Sequence, residues 1–155
     1  MKPKAVLFDA YGTLLDVYSI GKLAEELFPS QGAALATLWR DKQIEYTRLV
    51  TTSNDGAFYQ DFWALTRASL RYVCKRLKLD LSASAEEALM QQYRLLDAFP
   101  ENLRVLEALK AKGIPTGILS NGSPEMLHAA VVHAKMDRLL DHVLSVDALR
   151  QYKTS

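Results

Sequence analysis

Cysteine is nearly absent from this sequence: Cys74 is the only thiol in 155 residues. No internal disulfide can form, so the fold must rest on its core, and a reducing, cytoplasmic setting is expected. An excess of one charge is missing too. The 19 Lys and Arg against 18 Asp and Glu leave a net charge of +1, which offers no footprint for nucleic acid or an anionic membrane. No apolar run approaches the length of a membrane span. The run after Lys2 and Lys4 is cut by Asp9, which argues against a signal peptide. Histidine is scarce, and His128, His133 and His142 are spaced too irregularly for a metal site or a catalytic triad.

What is present is core-forming material, 49% of the chain. Ala5 to Phe8 reads as a short strand buried on both faces. A long helical stretch follows. "SIGKLAEELF" runs to Pro29, and Ser30 is expected to cap a helix through "AALATLWRDKQIEYTRLV". Asp55 is expected to cap the next helix, and Ser84 with Glu87 has capping-box spacing for another. Cys74, Trp39, Trp63 and Tyr72 fall at helical positions and read as packing residues. Alternation then begins: an amphipathic helix ending at Gly113, a strand in "IPTGILS", a helix opened by Ser123-Pro124, and a strand in "HVLSV". The fold expected is α/β, an incomplete Rossmann-like parallel sheet with an inserted helical-bundle cap. Residues 1–14 and 98–155 would form the core domain, and 15–97 the cap.

Ligands in open parallel sheets bind beyond the carboxyl ends of the strands. Asp9 closes the first strand, Ser120-Asn121-Gly122 the second, and Lys153 follows the third. Singly, Ser120 and Lys153 read as ordinary loop residues. An acid, a hydroxyl with an amide, and an amine at three strand ends read together as a site.

These residues resemble the haloacid dehalogenase superfamily. "FDAYGTL" is similar to its nucleophile motif, "LSNGSP" to its second motif and the lysine of "YKTS" to its third. "LWRDKQIEYTRL" and "YQDFWALTRASLRYV" resemble the cap of the L-2-haloacid dehalogenases. The resemblance implies hydrolysis of a short-chain L-2-haloacid to a 2-hydroxy acid, with inversion, through an ester on Asp9. Superfamily phosphatases carry an acid two residues after the nucleophile to protonate the leaving alcohol. Halide leaves without a proton, so Tyr11 can stand there as an apolar wall. By the same resemblance Thr13 and Lys153 would bond to Asp9, and Ser120 and Asn121 would hold the substrate carboxylate. Arg40 would receive the halide. Ala10, Tyr11, Asp41, Ile44 and Phe62 would line the substrate pocket, Asp41 being unusual as an acid near an anionic substrate.

No metal and no cofactor are expected, because a lysine and a helix N-terminus can offset the single charge of a haloacid. The partners expected are the 2-haloacid and halide, and a second copy of the chain joined through the cap. The resemblance also implies further helix, strand and a rim loop after Lys153, so the 155 residues are expected to be a piece lacking a C-terminal fragment. Two other readings stay open: a small-molecule phosphatase of the same superfamily, and an inactive fragment serving as a binding or oligomerising module.

Overall fold

In the computed structural model, residues 3–53 and 57–153 are described, and three short strands form one parallel sheet. β1 (Val6–Phe8), β2 (Thr116–Ser120) and β3 (His142–Ser145) stand in the order β1-β2-β3. Five helices lie between β1 and β2: α1 (Gly21–Leu27), α2 (Gly32–Thr52), α3 (Phe62–Arg76), α4 (Ala83–Arg94) and α5 (Asn102–Ala111). A sixth, α6 (Pro124–His133), joins β2 to β3. Phe8 pairs with Ile118 and Ile118 with Val143, so all three strands end along one rim.

Parallel crossovers are right-handed, and with strands in sequential order that places α5 and α6 on the same face of the sheet. Leu106 of α5 and Leu127, Ala130 and Val131 of α6 share one core with Ile118. The pairing register puts Leu7, Leu119 and Leu144 on the opposite face. There they meet solvent, Leu7 being 58% exposed. The expectation that β1 is buried on both faces therefore fails, because both crossover helices cover the same side.

The helices α1 to α4 form a cap that leaves and rejoins the sheet at one place. Asp16 N–H donates to Asp97 O at 2.8 Å, Phe99 N–H donates to Leu14 O at 3.2 Å, and Leu15 bridges to Ala98. Asn102, at the start of α5, ties this junction by donating its side-chain amide to Thr13 O and Leu14 O, both at 2.9 Å. Trp39, Leu65, Leu70, Val73, Leu89 and Met90 bury the facing stripes of α2, α3 and α4, each large apolar side chain contributing roughly 1.5–3 kcal/mol.

The helix starts differ in detail from expectation. Ser30 does not cap α2: it sits at φ 64°, and the cap comes from α1 instead. The Glu25 carboxylate accepts from Ser30 N–H at 2.5 Å and Gly32 N–H at 2.8 Å, satisfying donors the helix cannot satisfy itself. Gly32 allows this approach, since a Cβ there would lie 2.5 Å from Glu25 N. Asp55 lies outside the described residues, and α3 starts at Asp61, whose carboxylate accepts from Ala64 N–H at 2.7 Å. The cap of α4 is Ser82 rather than Ser84, because Ser82 Oγ accepts from Ala85 N–H at 3.2 Å. Ser123 caps α6 as expected, with Pro124 in the first turn, where its missing N–H costs nothing.

Candidate active site

The three strand ends converge. Asp9 follows β1 directly, and Lys153 returns to it after a 3-10 turn at Asp147–Leu149. Lys153 Nζ donates to Asp9 Oδ1 at 2.5 Å and to Leu119 O at 2.7 Å, while Lys153 N–H donates to Asn121 Oδ1 at 2.9 Å. One lysine thus joins the nucleophile-motif strand to the end of β2. Ser120 is fully buried and its Oγ accepts from Gly122 N–H at 3.2 Å. From β3, Ser145 Oγ donates to Gly122 O at 2.6 Å and fixes the same turn.

Tyr11 forms a wall beside Asp9. Its ring stacks on Tyr93 of α4 with centroids 5.8 Å apart and tilts against Phe62 of α3 at 5.2 Å. Burial, then the neighbouring Tyr93 and Asp9, push its phenol well above the ordinary tyrosine range, with Arg40 opposing weakly. The hydroxyl stays protonated, and it has no hydrogen-bond partner among the described residues. Gly122 makes room for this ring, since a Cβ there would stand 2.8 Å from Tyr11 Cε2.

Arg40 reaches across from α2. Its Nη2 donates to Tyr11 O at 2.8 Å and its Nη1 to Gln43 Oε1 at 2.9 Å. Gly12, at φ 94°, lets the chain turn here, a conformation that side chains other than glycine adopt at a cost. Between these groups lies a cavity of about 210 Å³, lined by Asp9, Tyr11, Arg40, Ile44, Thr47, Arg48, Phe62, Ser120, Asn121 and Lys153. Eight of the residues singled out from sequence therefore meet at one cavity.

Three do not. Ala10 is fully buried beneath it, its carbonyl accepting from Thr13, Leu14 and Leu15 N–H. That turn carries Thr13 away to solvent, and no bond from Thr13 to Asp9 forms among the described residues. Asp41 is not in the cavity lining; it lines an adjoining cleft with Glu45, Leu49 and Thr52, and Ile44 and Arg48 line both. Successive helical residues point about 100° apart, so with Arg40 inward Asp41 turns away. Sequence reasoning missed Thr47 and Arg48, although they extend the stripe of Arg40 and Ile44 at helical spacing. It also missed Gln43, Thr66 and Tyr93, the buried polar groups behind Arg40. Among the described residues, no three His, Cys, Asp or Glu side chains gather where they could hold a metal ion.

A sequence profile of the haloacid dehalogenase-like hydrolases matches residues 3–155. The chain belongs to this family. It is 42% identical over 150 residues to the (S)-2-haloacid dehalogenase of Pseudomonas sp. (strain YL), covering 97% of this chain and 63% of that relative. The crystal structure of one L-2-haloacid dehalogenase superposes with a TM-score of 0.94 at 55% identity, covering 99% of this chain and 68% of that one. The L-2-haloacid dehalogenase of Xanthobacter autotrophicus, solved with chloropropionic acid covalently bound, superposes at 0.87 with 39% identity, over 97% of this chain and 59% of that one. As a haloacid dehalogenase-like hydrolase, the chain shares three parallel strands and a helical cap with these relatives, and it spans less than two thirds of the length of two of the three.

Proposed function

We propose that Asp9 is the nucleophile of a hydrolytic dehalogenation of short-chain L-2-haloacids. The observation that carries the reading is the pairing of Asp9 with Lys153 at a small cavity that Arg40 also lines, with an aromatic ring at position 11 in place of an acid. The covalent chloropropionic acid in the Xanthobacter relative supports the same chemistry.

Asp9 lends an electron pair to C2, the carbon–halogen bond breaks from the far side, and halide departs with that bond's electrons. C2 inverts and an aspartyl ester remains. Water then adds at the aspartyl carbonyl carbon. The ester's acyl–oxygen bond breaks, the 2-hydroxy acid leaves with one hydrogen of that water, and the other is lost as a proton as Asp9 regains its carboxylate. Lys153 orients Asp9 through Oδ1 and leaves Oδ2 to attack. Ser120 and Asn121, which line the cavity at the end of β2 just before α6, suit the substrate carboxylate, since polar groups close to a helix N-terminus favour an anion. Arg40, a weakly hydrated cation, receives the halide. Ile44, Phe62 and Tyr11 exclude water around C2, which strengthens a nucleophile that is weak when solvated.

We assign residues 15–97 to the cap and 1–14 with 98–155 to the core, a division supported by the paired strands of chain at 14–16 and 97–99. A homodimer through the cap is supported by the exposed Leu49, Phe58 and Tyr72, and size-exclusion chromatography tests it. A cytoplasmic setting fits a lone, buried Cys74.

The test is halide release from (S)- and (R)-2-chloropropionate, with the Asp9 peptide followed by mass spectrometry. An adduct on Asp9 from the S enantiomer, absent in Asp9→Asn, is the expected result. Turnover retained in Asp9→Asn removes Asp9 from the chemistry. Magnesium-dependent phosphate release from an aryl phosphate, without halide release, would favour the phosphatase reading.

A further inference from the structure

A fully buried glutamine stands directly behind Arg40. Gln43 has no solvent exposure, and its side-chain oxygen and nitrogen are both hydrogen-bonded. Its Oε1 accepts from Arg40 Nη1 at 2.9 Å and from Tyr93 O–H at 3.0 Å. Its Nε2 donates to Thr66 Oγ1 at 2.6 Å, and Thr66 O–H donates to Phe62 O at 2.6 Å. The direction of this chain is fixed by chemistry. Arginine has no acceptor, so the amide oxygen must face it, and the amide nitrogen must then face Thr66. Tyr93 is buried too, and desolvation holds its phenol protonated, so it remains a donor to the same oxygen.

Burying an amide, a hydroxyl and a phenol in a helical core is costly unless all are paired. An apolar residue at position 43 would be the simpler solution for stability. The arrangement does one thing an apolar residue cannot: it fixes one arm of the Arg40 guanidinium. The other arm is fixed by Tyr11 O at 2.8 Å, two residues beyond the nucleophile. With Nη1 and Nη2 both anchored, the plane of the guanidinium is fixed.

We propose that Gln43, held by Thr66 and Tyr93, is a positioning residue that orients Arg40 toward the departing halide. The inference rests on the dehalogenase reading of Asp9 and Arg40. Gln43 itself touches neither substrate nor Asp9, so its effect must pass through Arg40. Because Arg40 meets charge that develops as the carbon–halogen bond breaks, loss of its orientation slows the displacement more than it weakens binding.

The experiment measures the single-turnover rate of Asp9 ester formation with (S)-2-chloropropionate, by intact mass, over a range of substrate concentrations. Gln43→Met keeps length and volume but removes both polar atoms. Its maximal rate should fall roughly 10- to 100-fold, the range expected for a lost hydrogen bond to a charged group, with a much smaller change in the half-saturating concentration. Thr66→Val frees the amide end of Gln43 without touching Arg40, and should slow the step in the same sense by a smaller factor. If Gln43→Met does not fold, Thr66→Val decides alone. In an Arg40→Ala background both substitutions should lose their effect on the rate, which a merely structural role would not produce. Folded variants that alkylate as fast as the parent, or that slow it equally with and without Arg40, overturn the inference while leaving the dehalogenase reading intact. Failure of the parent protein to form any adduct on Asp9 overturns both.

Discussion

Replacing Gly122 with alanine tests whether the loop after β1 and the turn after β2 meet as closely as described. The new Cβ would lie 2.8 Å from Tyr11 Cε2, 3.1 Å from the Tyr11 hydroxyl oxygen and 3.2 Å from Leu127 Cδ2. A carbon pair wants about 3.5–4.0 Å, so one neighbour must move. The Tyr11 ring cannot simply swing aside, because Phe62 and Tyr93 hold it from two other directions. Inserting a methyl group into such a packed site costs about 1–3 kcal/mol. For a chain of this size each kcal/mol lowers the thermal midpoint by roughly 2–4 °C. Urea denaturation should show a lower midpoint with an unchanged slope. The strain should act through Tyr11, so in a Tyr11→Leu background, where the ring is gone, Gly122→Ala should cost little. Ester formation at Asp9 should slow as well, since moving Tyr11 shifts the carbonyl that holds Arg40. A penalty below about 0.5 kcal/mol, or an equal penalty in both backgrounds, would refute the packing argument.

Tyr11→Phe removes a buried hydroxyl that lacks a partner among the described residues; stability by urea denaturation should hold or rise, by up to about 1–3 kcal/mol, and a marked loss would reveal a bond in solution. Glu25→Ala removes the acceptor for two N–H groups at the start of α2 and should cost about 0.5–2 kcal/mol, an unchanged midpoint counting against the cap. Burial raises the phenols of Tyr11 and Tyr152 above their ordinary value of 10.0, so their contribution is complete below pH 10. Above it the unfolded chain releases protons that the folded chain keeps, and stability falls; a denaturation profile that stays level well past pH 10 would contradict this. Cys74, whose thiol burial pushes up to about 11, should resist a thiol reagent at neutral pH until the protein is unfolded, and prompt labelling of the native protein would refute its burial.

The features legible in sequence were those set by local chain chemistry. Asp9 and Ser120 could be placed because apolar runs ending in polar or glycine residues mark strand ends, and parallel strands present those ends on one rim; Lys153, well beyond β3, is assigned through the family resemblance. Caps were less legible. Several serines compete near each helix start, and the choice of Ser82 over Ser84, or Glu25 over Ser30, depends on how the preceding helix arrives. Burial of the sheet was misread for a related reason. Strand sequence shows apolarity on both faces, whereas coverage depends on which side the crossover helices take.

The site residues in the cap divide the same way. Arg40, Ile44, Thr47 and Arg48 follow the helical repeat, so once one of them is placed inward the others follow, and Asp41, one step round the helix from Arg40, falls in the adjoining cleft. Gln43 escapes this logic. In "DKQIEY" it reads as one polar residue among many, and its burial arises when Thr66 of α3 and Tyr93 of α4 pack against that face of α2. A paired polar group inside a helical core is worth explaining by what it holds, since an apolar side chain would serve stability as well or better. Here it holds a cation whose other arm is bonded to the backbone of the loop after β1. On the proposed reading, cap and core are therefore joined where the departing halide's charge is received, and a shift of α2 relative to β1 would act on Arg40 through the bond to Tyr11 O.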